Sequence, residues 1–172
     1  IEPIPTVVEE EIIAEDGTTY IFSFAADPST ATAPNLSGIT SRLTGSVNGG
    51  SGSVSYSFWW DCTDTTTSVD VAITACDDLL DPHGQKFEGT SDTTKTVSHL
   101  YPAGTTVRTY TAKIIIKRDA ERWEKRILIT VYPPPIDFSL GKTNDIEVTL
   151  SSGSEVSTPT SILVVPRNGF SS

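Results

Sequence analysis

Methionine is missing from this chain altogether, and cysteine and histidine each occur only twice in 172 residues. Two thiols, Cys62 and Cys76, with no neighbouring histidine cannot supply the four ligands of a structural zinc site. Their spacing is not the Cys-x-x-Cys of a redox motif either. Basic residues are scarce: 12 Lys and Arg against 22 Asp and Glu leave a formal charge of −10. Binding a phosphate backbone requires clustered cations, so no nucleic-acid partner is expected. No apolar run is long enough to span a bilayer, so no membrane insertion is expected, and no signal peptide is visible. An amphipathic helical pattern is also absent.

Without a methionine, Ile1 is not an initiator residue. The start is that expected of a chain whose secretion signal has been removed, or of a fragment of something longer. Abundant Ser and Thr suit exposed strands and glycosylation, and an extracellular or cell-surface location is expected. A Cys62–Cys76 disulfide pinning a polar loop agrees with that location. Closing a loop of that size adds about 3 kcal/mol in the chain-entropy model.

What the chain does have is alternation. In the run Ser98 to Lys117, Tyr110, Ala112, Ile114 and Ile116 fall on one face, and Thr111, Lys113 and Lys117 on the other. A period of two over this length predicts a strand with one buried face. Trp123 to Tyr132 alternates likewise and predicts the returning arm of a hairpin. Val54, Tyr56, Phe58 and Trp60 alternate with serines, leaving Trp59 on the polar face. Shorter strands are expected at Tyr20–Phe24, Leu43–Val47, Lys86–Glu88 and Thr94–Leu100, with Ala26–Pro34 read as a turn-rich stretch. Lys and Arg between Lys113 and Arg126 interleave with acids, which predicts cross-strand ion pairs on a solvated face. Together these patterns predict an all-β sandwich, ended by Pro133–Pro135, which cannot continue a sheet.

Three motifs resemble the PKD-type branch of the immunoglobulin-like domains of bacterial secreted and cell-surface proteins. They are ADPSTATAP, YSFWWD and VSHLYPAGTTVRTYTAKI, and the resemblance covers roughly Thr18 to Pro133. It implies an antiparallel β-sandwich, and spacer, adhesion or surface-layer roles far more often than catalysis. It also implies that His99 orders the strand entry. The family's usual Gly-Asp-Gly turn after the Trp-Asp strand is replaced here by Cys62 and a threonine-rich loop. The expected organisation is an extended N-terminal arm at 1–16, a PKD-like sandwich at 17–133 and an incomplete β segment at 134–172.

Chemistry is sparse. There is no Gly-x-Ser-x-Gly elbow, adjacent acids on loops lack an enclosing pocket, and no catalytic residue is assigned, so the chain is not expected to be an enzyme. Asp61, Asp64, Asp77 and Asp78, with Asp70 and Asp81, form a weak calcium candidate, since hard oxygen ligands suit Ca²⁺; no EF-hand spacing is present and no other cofactor is expected. Asn35-Leu36-Ser37 is a glycosylation sequon.

The two ends carry the functional expectation. Val7, Val8, Ile12 and Ile13 flank three glutamates in the arm. Beyond Pro135, Ile136, Phe138 and Leu140 alternate with polar residues, as do Ile146, Val148 and Leu150, and Ile162 to Val165, including Val164, is continuously apolar. A tail this short is not expected to stand alone. It would pack on its own chain, begin a further Ig-like domain, or be completed by a neighbouring subunit. The leading expectation is a subunit of an extracellular fibre, joined head to tail to copies of itself by strand donation. The alternative is a PKD-like adhesion, carbohydrate-binding or spacer module, which would touch surface glycans through Trp59 and Trp123.

Overall fold

The computed structural model describes residues 1–62 and 83–135, together with the backbone of strands 137–142 and 162–167. Its described elements are strands: β1 (Ile4–Ile13), β2 (Thr19–Thr32), β3 (Ile39–Asn48), β4 (Val54–Trp59), β5 (Gly84–Thr90), β6 (Thr94–Tyr101), β7 (Arg108–Arg118), β8 (Glu121–Tyr132), β9 (Asp137–Lys142) and β10 (Ile162–Arg167). The chain is therefore all-β, as its alternation predicts. It divides into two compact units, Ile1–Pro134 and Pro135–Ser172.

In the first unit one sheet runs β5-β4-β7-β8-β2-β3-β6, with β1 added on β2. The ends of this order, β5 and β6, are consecutive in sequence, so the sheet nearly closes like a barrel. The turn between them is tied across the interior by the Tyr56 hydroxyl, which donates to the Asp92 carbonyl at 2.9 Å. Lys95 ion-pairs with Asp92 and lies 5.1 Å from the centre of the Phe87 ring. Most pairings are antiparallel, but Thr30–Thr32 of β2 run parallel to Thr130–Tyr132 of β8. The same strand pairs antiparallel with β3 over Ile21–Asp27.

Alternating side chains fill the interior. Phe22, Phe24 and Ala26 of β2, Leu43 and Val47 of β3, Tyr56 and Phe58 of β4, Ile114 and Ile116 of β7, and Ile129 of β8 are all fully buried. Tyr20, Phe22 and Trp123 form a continuous stack with ring centres 6.0 and 5.6 Å apart. Gly45 marks where β3 faces β7 across the interior. A Cβ there would overlap Cδ1 of Ile114 and lie 3.3 Å from Cδ1 of Tyr56, so the close approach requires glycine.

Two expectations are corrected. Ala26–Pro34 is not a turn-rich stretch: β2 continues through it to Thr32, with the Asp27–Pro28 peptide cis. Ala26, Ser29 and Ala31 are buried, so the inward parity shifts by one residue across Asp27–Pro28 and small residues line the interior beyond it. Lys113 does not lie on a solvated face. It is fully buried, with its ammonium 4.8 Å from the centre of the Trp59 ring. The outer surface of β4 and β7 carries its own small apolar cluster of Trp59, Cys62 and Ile115, and the lysine stem joins it.

In the second unit β9 and β10 pair antiparallel, with Leu140 opposite Val164 and Ile162 opposite Lys142. Ile136 and the expected strand at Ile146–Leu150 lie outside the described residues.

Candidate functional site

The N-terminal arm is strand β1, and its partner is β2 of its own chain. The pairing runs from Ile4 opposite Thr30 to Ile13 opposite Thr19, with an irregularity between Ile4 and Thr6. Asp16 and Gly17 make the connecting turn: Ala14 N–H donates to the Thr18 carbonyl at 2.9 Å, and Thr18 N–H to the Asp16 carboxylate at 2.8 Å. Gly17 has φ of 84°, the left-handed region that favours glycine. The arm is thus not the homeless segment that its sequence suggests.

Within β1 the four expected assembly residues divide by strand parity. Val8 and Ile12 are partly buried against the core, as is Ala14 just beyond the strand, whereas Val7 and Ile13 are 65% and 67% exposed. Glu10 lies on the inward side with Val8 and Ile12. Its carboxylate accepts from Trp123 Nε1 at 2.9 Å and from Lys125 Nζ at 2.6 Å, both on β8. These two bonds, led by the one from Lys125, hold the carboxyl below the ordinary glutamate range. Near the start of the strand, the Thr6 and Ser29 hydroxyls share a bond of 2.7 Å, and Ser29 also donates to the Ile4 carbonyl at 2.9 Å. β1 therefore sits where β2 and β8 diverge and touches both.

The chain enters and leaves this unit at one pole. The Ile1 ammonium donates to Thr32 Oγ1 at 2.8 Å, and Thr32 pairs directly with Tyr132, the last residue of β8. Ala33 N–H donates to the Tyr132 carbonyl at 3.0 Å, extending this junction by one bond.

An aromatic group lies at the neighbouring strand ends. Trp60 stacks on His99 with ring centres 4.6 Å apart and planes 7° apart, and Tyr101 meets His99 edge-on at 4.8 Å. Burial lowers the His99 pKa and, with the negative charge of Asp61, raises that of Tyr101. Tyr110 donates to the Pro102 carbonyl at 2.7 Å and fixes the Pro-Ala-Gly turn. Ser41 lies opposite His99 in the β3–β6 register. Its buried hydroxyl has no hydrogen-bond partner, as is also true of Tyr101 Oη. No serine–histidine nucleophile–base pair is assembled at this position.

The remaining predicted residues are scattered. Asp61 is exposed and accepts the Thr111 N–H at 2.9 Å; Asp64, Asp70, Asp77, Asp78 and Asp81 lie outside the described residues. Among the described residues no three acidic, histidine or cysteine side chains gather as metal ligands. Cys62 is buried and is not a free thiol, while Cys76 lies outside the described residues. His83 is exposed, and its carbonyl accepts the Trp60 N–H at 2.8 Å. Asn35 is exposed in a turn where its side-chain oxygen accepts the Ser37 N–H. Trp59 and Trp123 are 7% and 2% exposed, so neither provides the open platform that a stacked sugar needs. Phe138 and Leu140 fall on β9, Ile162 and Val164 on β10. Among the described residues no helix is long and apolar enough to cross a membrane.

Sequence reasoning did not single out Glu10, Lys125 or Thr32. The parity of Val8, Glu10 and Ile12 is the signal that marks Glu10, once residues 4–13 are read as a strand. Comparison with protein-family models, curated proteins and solved structures finds no match to this chain.

Proposed function

We propose that residues 1–134 are a non-catalytic, immunoglobulin-like module of PKD type, serving as a spacer in an extracellular protein. The observation that carries this reading is the course of β2, which pairs with β3 in its first part and with β8 in its last. A strand that changes neighbours in this way joins two packed layers of sheet into one sandwich. The layers face each other at Gly45 and Ile114. The sandwich encloses packed aromatics, and its serine, histidine and tyrosine at one pole are not arranged as a nucleophile and base. The exit through Pro133–Pro135 is a stiff extended connection, suited to holding one module apart from the next. A Cys62–Cys76 disulfide belongs to the same extracellular reading.

Strand donation between copies is the second reading, and one observation favours it. The second unit's described sheet has only two strands, and a two-stranded sheet is marginal in water without a third partner. In that reading the strands of the tail, with Phe138, Leu140, Ile162 and Val164, form the junction, because β1 is already paired.

Size-exclusion chromatography with light scattering, negative-stain microscopy and a panel of soluble polysaccharides separate the readings. The spacer reading expects a monomer that retains no glycan. Filaments would replace it with the fibre reading, and saturable glycan binding would replace it with adhesion.

A further inference from the structure

We infer that β1 is a releasable strand, which opens under end-to-end load before the rest of the module and lets the spacer lengthen reversibly. The use as an extensible spacer rests on the reading above, whereas the release itself is a property of the fold.

The argument begins with the shared pole. Ile1 is bonded to Thr32, and Thr32 is paired with Tyr132, so chain pulled from both sides separates neighbouring strand ends. From that pole β1 runs antiparallel to β2 down to the turn at Asp16 and Gly17. Load on Ile1 is therefore applied at the open end of the β1–β2 hairpin. The rungs are stretched one after another from Ile4 towards Ile13, instead of all together as in shear.

Load on Tyr132 pulls β8 from the same pole, so burial decides which strand gives way. β8 places Trp123, Ile127, Ile129 and Val131 in the core, none more than 3% exposed. It is also paired with β7 from Glu121 to Val131. β1 contributes no fully buried residue to the core, only the partly buried Val8 and Ile12, with Ala14 following. Its polar ties beyond the ladder are the Thr6–Ser29 contacts, which meet the load first, and the Glu10 clamp on Trp123 and Lys125. Glu9 and Glu11 flank Glu10 and add like charge along the strand. β1 opens first, and the Glu10 clamp sets the load at which opening completes.

Release also turns the module. Residues 1–18 become extended chain of about 60 Å, and the point of attachment moves to Thr19, at the far end of β2. A strand of that length adds about 40 Å. The gain is therefore about 100 Å, with the core intact.

Optical-tweezers extension of the full chain, with handles at both ends, tests this. The expected record has a reversible low-force step of about 100 Å, separate from unfolding of the core. In Glu10→Gln the step opens about tenfold faster at a given force, since a charge-assisted clamp is replaced by a neutral one. Joining β1 to β2 by a disulfide between Val7→Cys and Ala25→Cys, which are opposite one another, leaves only residues 1–6 free to open, so the step shortens to about 45 Å while the core transition stays. A single all-or-none extension overturns the inference, as does an early step whose length the cross-link leaves unchanged, which would belong to the second unit. If the cross-linked protein does not fold, an opening rate unchanged in Glu10→Gln overturns it instead. A preparation that forms filaments and still shows the step discards the spacer reading while keeping the releasable strand.

Discussion

The contact that most directly reports on the closure of the sheet is Gly45 against Ile114. Replacing Gly45 with alanine places a methyl group against Cδ1 of Ile114 and brings it within 3.4 Å of Cδ1 of Ile116. Ile114, Ile116 and Tyr56 are all fully buried, so the isoleucine end has no solvent to move into. Overpacking of this kind costs about 1–3 kcal/mol. Urea unfolding followed by tryptophan fluorescence should show a lower midpoint at unchanged slope, the mark of lost stability without a change in exposed surface. The double mutant supplies the sharper test. Ile114→Val removes Cδ1 and by itself costs about 0.5–1.5 kcal/mol. Combined with Gly45→Ala it should cost less than the two single losses together, with a coupling of about 1 kcal/mol. If Gly45→Ala is neutral and the cycle is additive, β3 does not face β7 across a shared interior, and the sandwich reading falls with it.

The Glu10 clamp should make β1 acid-sensitive. Its folded pKa is depressed, so the stabilisation is present above the unfolded value near 4.5 and is lost as pH falls through the lower folded value. Exchange of the Trp123 indole proton, followed by NMR from pH 6 downward, should accelerate in that acid window in the wild type. Glu10→Gln should show no such acid dependence, and matching profiles would refute the role of the carboxylate. Tyr101→Phe removes a buried hydroxyl that has no partner while keeping the ring against His99 and Tyr110. The urea midpoint should hold or rise, by up to about 1 kcal/mol of stability. A loss above about 1 kcal/mol would show that Oη makes a bond the protein needs.

Strands whose inward positions carry large apolar side chains were legible, because period-two alternation reports burial on one face. β4, β7 and β8 are of this kind. β2 beyond Phe24 was not, for two physical reasons. Its inward residues there are Ala26, Ala31 and the buried Ser29, too small to register as a hydrophobic rhythm. Its Asp-Pro pair also reads as a turn wherever local sequence is the only guide, and pairing on both sides overrides that preference. Lys113 failed in the opposite direction. Alternation assigned it to the outer face correctly, but charge on an outer face was equated with solvent. The ring of Trp59, its direct cross-strand partner at the end of β4, takes it out of water. What decided burial was a second apolar layer on the outer side of the sheet, a property of neighbouring strands that no single strand's pattern contains.

The clamp shows the same limit at longer range. Glu9, Glu10 and Glu11 are chemically identical in sequence, yet only Glu10 has the parity that aims it between β2 and β8, where Trp123 and Lys125 wait 113 and 115 residues further along. Even a correct strand prediction for residues 4–13 would not have named the acceptor of those two donors, because β8 is not β1's hydrogen-bonded neighbour. The position follows from β2 pairing with β8 over only three residues and diverging from it elsewhere. That divergence leaves room for an added strand, and the added strand brings the chain's entry back to the exit. The sequence feature that looked like a free donor arm is thus the consequence of a seam in the sheet, and the strand that fills the seam, with no fully buried side chain of its own, is held less tightly than the core strands are.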